Sequence, residues 1–352
     1  MLVIVVVQQQ TEPLEFPAAK VTKENILKNE QFVDAKERKF PGASLAYITP
    51  WNNRGYDLAK WAANKFTHIS PVWLQFKPQT ADMAASCRIE GTHDIDRGWM
   101  TDIRKNNSEI KFVPRILFDQ WHVDELKQFL LSETWSQRCL NDLLNFLQRN
   151  QFDGAAVELW MQALSVGREA QGYLTELFNK WGEEFHERNM QLIVPVGAPL
   201  SNKMEMTGIF TPDMFKMMPN VDYVQVMTYD YHGTIGVAPY PWVENTIRLL
   251  VENVPERAKD LMIGLNHYGY LYNDQQMDPV QRERFLEKSK EKNARLEWDD
   301  IVKEHRLITS EGRIYYPSLT SVESRIKLAK AYDVGIAIWE LGQGLNYFTQ
   351  VL

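Results

Sequence analysis

Acidic and aromatic side chains recur at one kind of place in this 352-residue sequence, the ends of short aliphatic runs. Glu158 and Trp160 sit at the end of GAAVEL, Tyr229 and Asp230 at the end of YVQVMTY, and Asn266 and Tyr268 at the end of LMIGLNHY. Trp339 and Glu340 close GIAIWEL, Trp51 follows SLAYIT, and Trp73 and Gln75 end THISPVWL. A few carboxylates beside rigid rings suit a carbohydrate, whose C–H faces pack on aromatics while its hydroxyls and amides need placed polar partners. A single tryptophan near a strand end is more often core than platform, because its large apolar area favours burial. Four at one rim are the argument for a pocket.

The runs that carry these residues span 44–49, 67–74, 110–118, 154–159, 191–196, 223–229, 261–268 and 335–341. Most are separated by segments in which apolar residues return every three or four positions, such as QRCLNDLLNFLQRN and YLTELFNKWGEEFHERN. Eight such strands alternating with helices predict an α/β chain folded as a (β/α)8 TIM barrel, with binding residues gathered where the strands end. The interval of about 271–318 is longer than any other and reads as a small α+β insertion between strands seven and eight, with a hairpin around Gly312. The barrel is therefore expected over 41–352. Residues 1–40 are expected to form an N-terminal arm, with a remnant of a signal segment as one reading of its start, extended or partly disordered from residue 8.

Composition excludes several classes. A formal charge of −7 and the mixed signs of RERFLEKSKEKNAR argue against a nucleic-acid partner and for a solvated helix face. No run reaches the eighteen apolar residues of a membrane span. MLVIVVV reads at best as an incomplete secretory signal, with no basic residue ahead of it and no small-residue cleavage site behind. The seven histidines have no metal spacing, and no phosphate loop, Gly-x-Ser-x-Gly elbow or His-Glu-x-x-His helix occurs, so no metal and no cofactor are expected. Cys87 and Cys139 could form one bridge or remain buried thiols; their spacing suggests neither a metal site nor a redox pair, and thiols are the preferred reading.

FDGAAVELW, residues 152–160, resembles the fourth strand of the family 18 glycoside hydrolases, which include chitinases and typically read F-D-G-x-D-x-D-x-E. In that register Ala156 and Glu158 stand at the two inner Asp positions and Trp160 at the catalytic Glu. Side chains alternate along a strand, so 156, 158 and 160 are expected to share the barrel interior and its mouth. In the family the last Glu protonates the glycosidic oxygen while the substrate's N-acetyl group attacks, held by the preceding Asp. Tryptophan can donate no such proton. Glu158 lies about 6–7 Å further down the strand, beyond the hydrogen-bond reach a general acid needs. A buried, hydrogen-bonded carboxylate is an equally good reading of it.

Elsewhere the resemblance is closer. VMTYDYHG keeps the Met-x-Tyr-Asp pattern, which places Met227, Tyr229 and Asp230 where family members contact the N-acetyl group, and Trp339 matches the tryptophan that floors the central sugar subsite. The resemblance implies a non-catalytic chitinase-like lectin for N-acetylglucosamine-containing oligosaccharides. Its expected contacts are Trp51, Trp73, Glu158, Trp160, Met227, Tyr229, Asp230, Asn266, Tyr268 and Trp339. The alternatives are a hydrolase with its acid and base relocated to Glu158 or Asp230, and a protein-interaction scaffold with a vestigial pocket. The resemblance also implies a secreted or lysosomal setting, in which a sorting or scavenger receptor is a partner to consider and the sequon Asn106-Asn107-Ser108 would be glycosylated.

Overall fold

The computed structural model describes residues 18–80, 85–231, 233, 235–273 and 276–352. The apolar N-terminal stretch lies outside the described residues. In chain order the barrel strands begin with β1 (Ser44–Ile48), β2 (His68–Pro71) and its continuation β3 (Leu74–Gln79), which turns back through β4 (Ser86–Glu90). They continue as β5 (Lys111–Phe112), β6 (Arg115–Phe118), β7 (Gly154–Glu158), β8 (Gln191–Gly197), β9 (Tyr223–Met227) and β10 (Leu261–Asn266). An insertion contributes β11 (Gly269–Tyr272), β12 (Met277–Val280), β13 (Arg295–Asp299), β14 (Glu304–Thr309) and β15 (Gly312–Tyr315), and the barrel ends with β16 (Gly335–Trp339).

Parallel pairing closes the barrel. β2 lies between β1 and β5, β3 pairs with β6, and β6 through β10 follow side by side to β16, which returns to β1. The third strand is split at Val113–Pro114 because proline has no N–H for the ladder, yet the ladder continues through the Pro114 carbonyl, which accepts from Ala156 N at 3.0 Å. All eight expected strands are present, trimmed mainly at their C-terminal ends, where the chain turns into the functional loops.

Alternation sends one set of side chains inward. Leu45, Tyr47, Val72, Val113, Ala156, Ile193, Met262 and Ala337 fill the barrel, while the other set packs against the outer helices. Those helices are amphipathic. Glu133–Arg149, capped by the Ser132 side chain accepting from Trp135 N, buries Trp135, Cys139, Leu140, Leu143, Leu144 and Leu147 on one face. Between strands seven and eight the insertion is a five-stranded antiparallel sheet, ordered β12-β11-β15-β14-β13, with one helix, Arg282–Ser289, as expected.

Two expectations are corrected. Cys87 and Cys139 are bonded as a disulfide that ties β4 to the helix Glu133–Arg149, so the thiol reading is wrong. Their separation in sequence carried no information about this; the β3–β4 hairpin brings them together. Residues 18–40 are also more ordered than an extended arm. A helix over Lys23–Asn29 is capped by Thr22, and Lys65, fully buried, reaches Asp34 at 3.4 Å. Phe40 is buried in the core.

Candidate functional site at the barrel mouth

Ala156 and Glu158 point inward from β7, and Arg115 points inward from the neighbouring β6, in register with Ala156. That parity brings two opposite charges together. Arg115 Nε donates to Glu158 Oε2 at 2.6 Å, with both side chains less than one-fifth exposed. In so little water the pair is stabilised only as a pair, and removing one partner would cost about 3–5 kcal/mol. Burial lowers the Arg115 proton affinity, but the hydrogen bond and charge of Glu158 more than offset this and leave its pKa raised.

The guanidinium also lies over the Trp339 ring, 5.5 Å from its centroid, and Tyr47 meets the same indole at 5.2 Å and 60°. Beneath them Tyr47 Oη donates to Gln225 Oε1 at 3.2 Å, while Gln225 Nε2, buried, has no partner among the described residues. Tyr229 rests on Gly264, where an added Cβ would come within 2.5 Å of its ring, so a glycine is needed there. Burial, then the charge of Glu158, holds the Tyr47 hydroxyl far above the usual phenol range. Burial and the neighbouring Tyr47 and Glu158 do the same for Tyr229. Both therefore remain neutral hydrogen-bonding groups.

The other two carboxylates at strand ends are also engaged. Asp230, with a φ of 57°, accepts from the hydroxyls of Tyr268 and Tyr270, the latter at 2.7 Å. Asn266 Nδ2 donates to the Tyr268 carbonyl at 2.8 Å, which links β10 to the insertion wall. Glu340 is wholly buried and accepts from Asn52 Nδ2 at 2.6 Å and Gly342 N at 3.0 Å; burial raises its pKa.

Of the ten expected contacts, Glu158, Met227, Tyr229, Asp230, Asn266, Tyr268 and Trp339 lie on strands or turns that end at the mouth. Trp51 is 66% exposed on the turn after β1. Trp73 and Trp160 require correction. Trp160 has no exposed surface: Leu159 leaves the extended conformation at φ −123° and ψ −28°, a short helix begins at Trp160, and the inward parity is lost. Its indole turns outward, stacks on Phe178 at 6.3 Å, meets Phe210 edge-on at 5.3 Å and donates to the Ile209 carbonyl at 2.9 Å. Trp73 is likewise fully buried outside the barrel wall, donating to Tyr56 Oη at 2.6 Å and packing on Trp99. Neither ring reaches the mouth.

The sequence reading missed Arg115, Tyr47, Gln225 and Tyr270. Arg115 had a signal, since a charged residue at inward parity on a barrel strand needs a partner, and Glu158 sits at inward parity one strand away.

With this geometry in place, comparison with known proteins identifies the scaffold. The model of the glycosyl hydrolases family 18 matches residues 43–344. The chain belongs to that family. An uncharacterized glycosylase of Bacillus subtilis, YvbX, is 18% identical over 247 residues, covering 65% of this chain and 69% of its own. Among solved structures, a chitinase from Chromobacterium violaceum superposes with a TM-score of 0.72 at 19% identity, covering 88% of this chain and 97% of that one. A family 18 N-acetylglucosaminidase from Paenibacillus barengoltzii gives 0.68 at 17%, covering 88% of this chain and all of its own. At these identities the structural likenesses establish the family 18 fold and leave the chemistry to the residues at the mouth.

Proposed function

We propose that this family 18 protein binds N-acetylglucosamine-containing oligosaccharides at the barrel mouth without cleaving them. The observation that carries the reading is the Arg115–Glu158 ion pair. A glycosidase of this kind needs a carboxylic acid free to give a proton to the departing oxygen. Glu158 stands two positions before the family's catalytic position, and its Oε2 is taken up as the acceptor of the Arg115 guanidinium. Asp230 accepts two tyrosine hydroxyls on Oδ1 and Glu340 is sealed beneath Asn52, so each carboxylate named for the relocated-acid alternative is already tied to a protein group through at least one oxygen.

Support for retained sugar recognition comes from the groups that remain at the mouth: Trp339, Tyr229, Met227 and the Asp230–Tyr268–Tyr270 cluster. Within the family, TPWNNRGYD, SPVWLQ, GWM, VMTYDY, GLNHYG and AIWELGQG, with VELW in place of the acidic strand, resemble chitinase domain-containing protein 1. That likeness fits a saccharide-binding role. The Cys87–Cys139 disulfide and the exposed sequon Asn106 fit an oxidising lumen or the outside of a cell as the working compartment.

The test is isothermal titration of chito-oligosaccharides up to millimolar concentration. Saturable binding that weakens in Trp339→Ala is the expected result, and no heat from the parent protein at any ligand length would end the reading.

A further inference from the structure

Resting on that binding reading, we propose that Arg115 is the specificity-determining residue of the mouth. Its free guanidinium edge receives the carbonyl oxygen of a neutral N-acyl group, and the paired Glu158 takes the amide N–H beside it.

Arg115 leaves most of its donors unused. Nε is engaged by Glu158, and neither terminal amino group has a hydrogen-bond partner among the described residues. A guanidinium is a planar fork of five N–H donors, so four remain to be satisfied by whatever enters the mouth. Packing over the Trp339 ring fixes the plane of that fork. Trp339 is then the backing of Arg115 as well as a surface for sugar.

Glu158 supplies the complement. Oε2 is taken by Arg115. Oε1 has only a contact of 3.4 Å from the Gln162 amide, which when turned over donates instead to the carbonyls of Glu158 and Leu159 at 3.2 and 3.3 Å. The turned amide makes two bonds in place of one long one, and its oxygen, now 3.4 Å from Glu158 Oε1, gives that carboxylate oxygen no hydrogen, so Oε1 is left needing a donor. A donor edge and an acceptor oxygen side by side are what an amide requires, one for its C=O and one for its N–H.

Charge selects among ligands that could use the fork. Arg115 is already compensated by Glu158, and Asp230 adds a further negative charge at the rim. A carboxylate-bearing sugar would bring a like charge beside Glu158, in a setting where such contacts are poorly screened. A neutral acyl group brings none. A sugar with a plain hydroxyl in place of the acylamino group offers a weaker acceptor and leaves buried donors unmet.

The experiment titrates the full chain with chitotetraose, cellotetraose and tetragalacturonic acid, which carries carboxylates and no acylamino group, in the parent and in Arg115→Met, Arg115→Lys and the charge-neutral double variant Arg115→Met/Glu158→Gln. The double variant removes both charges together, so it stays folded where Arg115→Met alone strands Glu158. Thermal unfolding of each variant confirms the fold. The parent should prefer chitotetraose at least about tenfold over both other sugars, the size expected for a lost hydrogen bond to a charged group. Arg115→Met and the double variant should bind chitotetraose and cellotetraose alike, and Arg115→Lys, with charge but no fork, should recover little of the preference.

A folded double variant that keeps the full preference overturns the assignment of Arg115. A parent that binds tetragalacturonic acid more tightly than chitotetraose overturns the neutral-acyl assignment. Failure of the parent to bind any of the three would instead overturn the binding reading itself.

Discussion

Replacing Trp160 with alanine separates the two roles that this residue could have. Trp160 is fully buried, lies against Phe178 and Phe210, and gives its indole N–H to Ile209. Truncating a buried tryptophan costs about 3–5 kcal/mol through lost burial and the cavity left behind. The Ile209 carbonyl keeps a second donor, Gln171 Nε2 at 3.3 Å, so little is added for an orphaned acceptor. With an unfolding entropy of about 2.1 cal/mol/K per residue, a chain of 352 residues changes by about 0.7 kcal/mol per degree, and the melting temperature should fall by about 4–7 °C. Trp160→Phe should lose less, since it keeps a ring and forgoes mainly the hydrogen bond. Affinity for chitotetraose, titrated at 25 °C where both variants remain folded, should change less than about threefold. The assay is calorimetric unfolding alongside ligand titration. A Trp160→Ala protein with an unchanged melting temperature and lost affinity would refute the reasoning and return the indole to the mouth.

Further consequences follow from other parts of the molecule. Removing the disulfide with Cys87→Ala/Cys139→Ala opens a loop of 52 residues and should destabilise the fold by about 4 kcal/mol, read as a lower denaturation midpoint that reductant no longer affects. Burial lowers His68 to about 4, His267 to about 3 and His305 to about 4 from an ordinary 6.5. A buried imidazole of this kind contributes stability that is present above pH 6.5 and lost as the pH falls toward 4, because the unfolded chain takes up the proton first. The melting temperature should decline across that window, and His68→Asn should flatten the slope; an unchanged slope would place the proton uptake elsewhere. Gly264→Ala puts a Cβ into the Tyr229 ring and should weaken chitotetraose binding, because the shift falls on a group of the mouth; retained affinity would show Tyr229 to be dispensable.

The barrel was legible because each of its strands is a short aliphatic run and most are bounded by an amphipathic helix, two periods that sequence displays directly. The mouth was legible only in part. Position 158 obeyed strand parity and faced inward as expected; position 160 did not, because a change of backbone conformation at Leu159 ended the strand one residue before it. Parity holds only while a strand lasts. The aromatic inventory counted Trp73 and Trp160 as platforms, but both have outer-layer neighbours, Trp99 for one and Phe178 for the other, that lie far away in sequence. Arg115 escaped notice because its partner sits on another strand, 43 residues on. The disulfide was hidden for the same reason.

The central claim is that sugar is held at this mouth while its linkages stay intact. One measurement joins both halves: chitotetraose at a concentration that saturates the calorimetric signal, incubated with the protein for days and then analysed by mass spectrometry for shorter oligomers. The account predicts saturable binding with tetramer recovered unchanged. Accumulating dimer or monomer that disappears in Glu158→Gln would contradict it, and would make the carboxylate beside Arg115 a working acid.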